Sequence, residues 1–229
     1  MLPDNMSSIG ASTPTKETRL NILLLAAGEG RRFQQSCRDA KQAIQIKQLA
    51  NVNGTPLINH SIEQLSPLIS QHNSCDSIYV ALGGNHDKIQ PVIANDTKVL
   101  HIENYALGMG HSIAESIKHI TDESSHILIA LVDQALVNNE HYHQLVEQSL
   151  AEPEKIIATL CADKTMAPAI FPKKYFTELM ELQGDKGAGA LLKRATKHVV
   201  ALSCSAAKFD VDTLADLEHV SHLLKNNNP

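Results

Sequence analysis

The chain has 229 residues, 43% of them hydrophobic, and a formal net charge of -5 at pH 7. That length holds a sizeable core in one domain, while the acidic balance, 3% aromatic content and absence of tryptophan exclude a general basic field or stacking platform for nucleic acid. No stretch approaches the ~20 apolar residues that span a bilayer, and no basic start precedes an apolar run at the N-terminus, so an unexported cytoplasmic protein without a membrane partner is expected.

Residues 1–19 are rich in Ser, Thr, Pro and charge without apolar periodicity, and predict a disordered leader; 20–225 predict a single domain. Ile22 to Leu25 reads as a strand buried on both faces. It ends in Ala26-Ala27-Gly28-Glu29-Gly30-Arg31-Arg32-Phe33, where glycines let the backbone turn with its N–H groups free for an anion and two arginines add positive charge. This is not a Walker loop, since no Gly-Lys-Ser/Thr follows, and Gly-x-Gly alone also suits an ordinary strand-to-loop turn. Gln34 to Lys47, polar and basic, predicts a mobile loop able to close over a ligand, with a short surface helix through Lys41 to Gln48 as the alternative.

Pro56 opens a helix whose Leu57, Ile58, Ile62, Leu65 and Leu68 share one face. Strands follow at Ser77 to Leu82, Lys98 to Ile102 and His126 to Val132, separated by helices over Asn85 to Ala94 and His111 to Ile120. Further on come a helix from Asn138 to Leu150, a strand from Lys155 to Leu160, an apolar segment Ala167 to Phe171, helices over Tyr175 to Leu182 and from Gly184 to Thr196, a strand Val199 to Leu202 and a terminal helix that frays at Asn226 to Pro229. The alternation predicts a three-layer α/β/α fold with a mostly parallel, Rossmann-like sheet. Ligands of such sheets gather beyond strand carboxyl ends, which brings Gly28, Gly83 and Asp133 towards one crevice.

Cys37, Cys75, Cys161 and Cys204 form no Cys-x-x-Cys pair, so buried or free thiols are expected. His141-x-His143 and His219-x-x-His222 offer two ligands each and read as solvated helix faces. Asp133, directly after a strand, suits a metal ligand or a cap. Asp210 and Asp212 face one side if extended, with helix capping by Asp212 or Thr213 as the other reading. Arg32 and Lys47 are the candidate phosphate clamp, with Arg31 and Lys41 as substitutes. Gly108-Met109-Gly110-His111-Ser112 lets backbone approach a base or ribose, or forms a tight turn.

Taken together, Leu25-Ala26-Ala27-Gly28-x-Gly30-x-Arg32-Phe33, Lys47-Gln48-Leu49 and Gly54-Thr55-Pro56-Leu57 resemble the signature of nucleotidyltransferases, and more narrowly the molybdenum cofactor cytidylyltransferases, a MobA-like NTP transferase group. Gly184-Asp185-x-Gly187-Ala188 and Asp210-Val211-Asp212-Thr213 extend the likeness to about residue 220. The resemblance implies transfer of CMP from CTP to molybdenum-loaded molybdopterin with release of pyrophosphate, and Ala27 favours the cytidylyl branch. It implies catalytic roles for Arg32, Lys47 and Asp133, and nucleotide contacts from Leu25, Ala26, Ala27, Gly28, Gly30, Arg32, Lys47, Gly83, Gly108, Gly110 and Ser112. Asp185 and Gly187 are implied for the acceptor, Asp133, Asp210 and Asp212 for Mg²⁺, and a molybdoenzyme as client. Gln34, Ala135, Met166 and Gly189 stand where that group tends to carry glycine, proline, glycine and arginine. These changes leave open a sugar-phosphate or other small-phosphate acceptor, or an inactive cofactor-delivery protein.

Overall fold

The computed structural model describes residues 18–93, 96–120 and 124–226. The expected leader up to residue 17 and the expected fraying at 227–229 lie outside them. Strand β1 (Leu20–Ala26) is buried along its whole length. Leu20, Ile22, Leu24 and Ala26 enter one core cluster, and Leu23 and Leu25 enter a second on the other side. A strand apolar on both faces has to be central, because either face left in water would forfeit about 25 cal/mol per Å².

The segment after β1 departs from expectation. Helix α1 (Arg31–Asp39) occupies the first part of the expected loop, because Phe33 and Cys37, one turn apart, are both fully buried. The chain then runs without regular structure to a 3-10 turn at Lys47–Leu49, so a Lys41 to Gln48 helix is absent as well. A small hairpin, β2 (Asn51–Val52) and β3 (Thr55–Pro56), leads into α2 (Leu57–Gln71), whose five expected apolar positions are all buried. The chain continues through β4 (Cys75–Leu82), α3 (His86–Ile89), β5 (Lys98–His101), α4 (Met109–Ile120), β6 (His126–Leu131) and α5 (Asn139–Ala151). It closes with β7 (Ile156–Cys161), β8 (Lys164–Pro172), α6 (Phe176–Met180), α7 (Gly189–Arg194), β9 (Val199–Ser203) and α8 (Leu214–Asn226).

The main sheet has seven strands in the order β5-β4-β1-β6-β8-β7-β9. Strands β5, β4, β1 and β6 are mutually parallel; the apolar segment around Ala167 to Phe171 is part of β8, antiparallel to both β6 and β7. Side chains of α1, α2, α5 and α8 pack on one face, and those of α4, α6 and α7 on the other, giving three α/β/α layers. The four cysteines are free, with Cys37, Cys75 and Cys161 buried. No helix among the described residues is long and apolar enough to cross a membrane.

One histidine expectation is corrected. His141 is buried and its Nε2 lies 2.9 Å from Thr159 Oγ1, because that face of α5 packs on β7 rather than on solvent. His219 and His222 are exposed as expected.

Candidate active site

Strand order reverses at β1. The chain leaves it for β4 on one side and later returns to β6 on the other, so the carboxyl ends of β1 and β6 flank an open crevice. A cleft of about 300 Å³ lies there. Of the sequence candidates, Leu25, Ala26, Ala27, Gly28, Gly30, Arg31, Lys47, Gly108, Ser112, Asp133 and Asp185 line it.

The β1–α1 turn needs glycine at Gly30, which has φ of 66° and whose Cβ, if present, would lie 2.9 Å from the Lys47 Cβ. Among the described residues, the N–H groups of Ala27, Gly28, Glu29 and Gly30 meet no acceptor. They form an open row of donors at the start of α1, whose dipole adds positive potential. Arg31 is exposed, and its guanidinium bonds the Glu29 carboxylate over 2.6 Å.

Lys47 has a side chain only 9% exposed, and its Nζ sits 2.7 Å from Asp133 Oδ2 and 3.6 Å from Asp212 Oδ1. Lys41, the alternative lysine, is exposed and does not line the cleft. The Asp133 turn is fixed from several sides. Ser61 Oγ donates to the Val132 carbonyl, His60 Nε2 lies 2.8 Å from the Ala135 carbonyl oxygen, and Val211 N–H donates to the Asp133 carbonyl. Because Val211 is itself buried, its two flanking aspartates are delivered to the side of Asp133.

Asp212 pairs with Arg32 over 2.8 Å as well as with Lys47. Capping of α8 falls instead to Thr213 and Asp216: the Asp216 N–H donates to Thr213 Oγ1, and the Thr213 hydroxyl donates back to the Asp216 carboxylate. Withdrawal from water, then the Asp133 and Asp212 charges, push the Asp210 carboxyl up to about 6 against the pull of Lys47 and Arg32. Asp133, Asp210 and Asp212 set three carboxylates against the two cations Lys47 and Arg32, an excess of negative charge in the cluster.

Three predicted glycines do not line the cleft but brace its walls. A Cβ on Gly83 would meet the Ala27 carbonyl oxygen at 2.3 Å and Tyr105 at 2.7 Å. One on Gly110 would meet the Gln183 backbone, and Gly110 N–H donates to the Gly184 carbonyl. Gly187 makes room for Met109. Through Gly108, Asp185 and Gly184 are clasped against the loop that precedes α4. Two functional neighbours escaped the sequence reading: Tyr105, a cleft wall packed on Gly83, and Gln48, whose amide grips the β1–α1 loop. Gln48 stands inside the Lys47-Gln48-Leu49 string, which by itself gives it no role, and nothing in the pattern around Tyr105 marks it.

Among the described residues no three His, Cys, Asp or Glu side chains converge into a ready-made metal cage. The donor set nevertheless fits Mg²⁺, which keeps several waters and binds through one or two carboxylates together with substrate phosphates. The carboxylate excess at Asp133, Asp210 and Asp212 is of the kind a divalent cation relieves.

A family model described as MobA-like NTP transferase domain matches residues 22–199. Bifunctional protein GlmU of Pseudomonas savastanoi pv. phaseolicola is 28% identical over 204 residues, covering 87% of this chain and 40% of that protein. The chain spans less than half the length of the first curated relatives it matches. Among solved structures, Rv0371c from Mycobacterium tuberculosis H37Rv has a TM-score of 0.71 at 22% identity, covering 91% of this chain and 100% of that one. A complex of Rv0371c with manganese has also been solved. CMP:2-keto-3-deoxy-manno-octonic acid synthetase complexed with CTP has a TM-score of 0.67 at 14% identity, covering 91% and 99%. These structural likenesses show the fold.

Proposed function

The chain belongs to the MobA-like NTP transferase family, and we propose that it moves CMP from CTP to a phosphate-bearing acceptor, molybdenum-loaded molybdopterin, with release of pyrophosphate. One observation carries this reading: a row of unpaired loop N–H groups shares a cleft with Lys47 and Asp133 at the switch point of the sheet.

The attacking acceptor phosphate is already ionised near neutral pH, so the reaction asks for charge neutralisation and alignment rather than for a protein nucleophile. The N–H groups of Ala27 to Gly30 donate to triphosphate oxygens. Lys47 and Arg32 turn from their aspartates to the phosphates, Arg32 bidentately. Asp133, with Asp210 and Asp212, would hold Mg²⁺, and the chemistry that ion would supply is neutralisation of phosphate charge. Gly108 and Ser112 line the base and ribose end and Asp185 the acceptor side, with Gly187 behind that wall making room for Met109. Ala27, as in the cytidylyl branch, supports CTP as donor, and a client molybdoenzyme would receive the product. A cytoplasmic site of action agrees with the free thiols.

A sugar phosphate or other small phosphate is the second acceptor class. Met166 and Gly189 stand where the group tends to carry glycine and arginine, at positions the resemblance assigns to handling the acceptor. The test is pyrophosphate release with each of the four ribonucleoside triphosphates, with and without Mg²⁺, using molybdenum-loaded molybdopterin or sugar phosphates as acceptor. Mg²⁺-dependent release with CTP and molybdopterin alone is expected. Release with sugar phosphates would move the assignment to the second class, and ligand binding without any release would favour a delivery protein.

A further inference from the structure

Gln48 is 1% exposed, yet it borders the cleft, and its carboxamide is committed to the loop beside it. Its Nε2 donates to the Ala26 and the Gly28 carbonyl oxygens, each at 2.7 Å. Both amide hydrogens are thereby used, and two facing acceptors fix which end of the carboxamide is the nitrogen. The Oε1 atom is buried and meets no partner among the described residues. A buried orphan acceptor costs about 1–3 kcal/mol, so local stability alone is a poor account of an amide here.

In a planar trans peptide the carbonyl of one residue and the N–H of the next point in opposite directions. Drawing the Ala26 and Gly28 carbonyls to one side therefore turns the Ala27 and Glu29 N–H groups to the other. Those two N–H groups are among the four in this loop that meet no acceptor among the described residues. Side chains with two carbonyl-facing donors are few, and a carboxylate at this point would repel both carbonyls.

Resting on the nucleotidyltransferase reading above, we propose that Gln48 is a positioning residue: by holding the Ala26 and Gly28 carbonyls it orients the Ala27 and Glu29 N–H groups into a preformed anion nest for the donor triphosphate. Lys47 and Gln48 thus act from one 3-10 turn in different ways, the lysine through its charge and the glutamine through the backbone it turns.

The test compares wild type with Gln48→Met, which keeps length and apolar bulk but has no donor, and with Gln48→Glu. Binding of CTP and of inorganic tripolyphosphate is measured without acceptor, together with the ¹⁵N and ¹H shifts of the Ala27 and Glu29 amides. Expected for Gln48→Met is a tenfold or greater loss of affinity for both ligands alike, a raised KM with a smaller change in kcat, and loss of the tripolyphosphate-induced shifts at Ala27 and Glu29. Gln48→Glu should lose more. Equal affinities and unchanged amide shifts in a folded Gln48→Met protein would overturn the proposal while leaving the nucleotidyltransferase reading intact. If Gln48→Met does not fold, Gln48→Lys, which restores donors, decides through the same shifts: their presence supports the role and their absence refutes it. Failure of wild type itself to bind CTP or tripolyphosphate would instead sink the functional reading.

Discussion

The backbone N–H of Val211 donates to the carbonyl of Asp133 over 2.9 Å. This one bond brings a segment from near the end of the chain to the tip of a central strand, and sets Asp212 where Lys47 reaches it and Asp133 together. The acidic cluster is therefore a product of backbone pairing, and its lysine is held between carboxylates.

The pairing of Lys47 with Asp133 makes a prediction about coupling. Lys47→Met leaves a largely covered carboxylate without its nearest cation, and Asp133→Asn leaves a buried ammonium with a weaker partner. Each single change is expected to cost about 1–3 kcal/mol, and the double change less than their sum by at least about 0.5 kcal/mol. Denaturant midpoints of the four proteins check this, and strict additivity would show that the two groups do not support each other. Turnover should fall by roughly a hundredfold or more in either single variant, because in the proposed reaction the two groups also serve the phosphate and the metal.

Arg32 is the contrasting case. Its side chain is 77% exposed, so its pair with Asp212 contributes little in water and is screened by salt. Arg32→Gln is expected to change stability by no more than about 0.5 kcal/mol and to lower kcat/KM for the triphosphate by roughly tenfold or more. A stability loss without a kinetic one would contradict the clamp.

Two glycines separate packing from function. Gly83→Ala places a methyl 2.3 Å from the Ala27 carbonyl oxygen and against Tyr105, so backbone has to move, at a cost of about 1–3 kcal/mol. Among the described residues no heavy atom lies within 4 Å of a Cβ added at Gly28, so Gly28→Ala should leave the melting temperature nearly unchanged. It should still weaken triphosphate binding, since the methyl stands where phosphate would approach the loop. Calorimetric melting with nucleotide titration distinguishes the two, and equal behaviour of both variants would refute the assignment.

Stability should also depend on pH through buried histidines. His126 and His141 are both held below the usual histidine value, in each case mainly by burial. The unfolded chain then binds more protons than the native one below about pH 6.5. Their contribution is fully present above that pH and is lost as pH falls through their lowered native values. Urea midpoints should be level from pH 8 to 7 and decline towards pH 5. His141→Gln should flatten part of that decline, and an unchanged slope would remove His141 from this role.

The sequence by itself determined the layered α/β/α plan, the doubly buried strand β1 and the one-faced helix α2, because apolar period and glycine placement are local properties read off neighbouring residues. It also marked Gly28, Gly30, Lys47 and Asp133 as a group, since motif spacing survives in one dimension. It misjudged the stretch after Phe33, where two buried residues one turn apart are outnumbered by polar ones and only the core they enter makes them a helix. It could not separate Gly83 and Gly110, which brace walls, from Gly28 and Gly30, which line the cleft, because the difference lies in what each Cα faces across the fold. The meeting of Asp133 with Asp212 and the grip of Gln48 on its loop were decided by tertiary structure alone: hydrogen bonds between distant segments set them, and no local pattern of residue types encodes which carbonyl a buried amide will find.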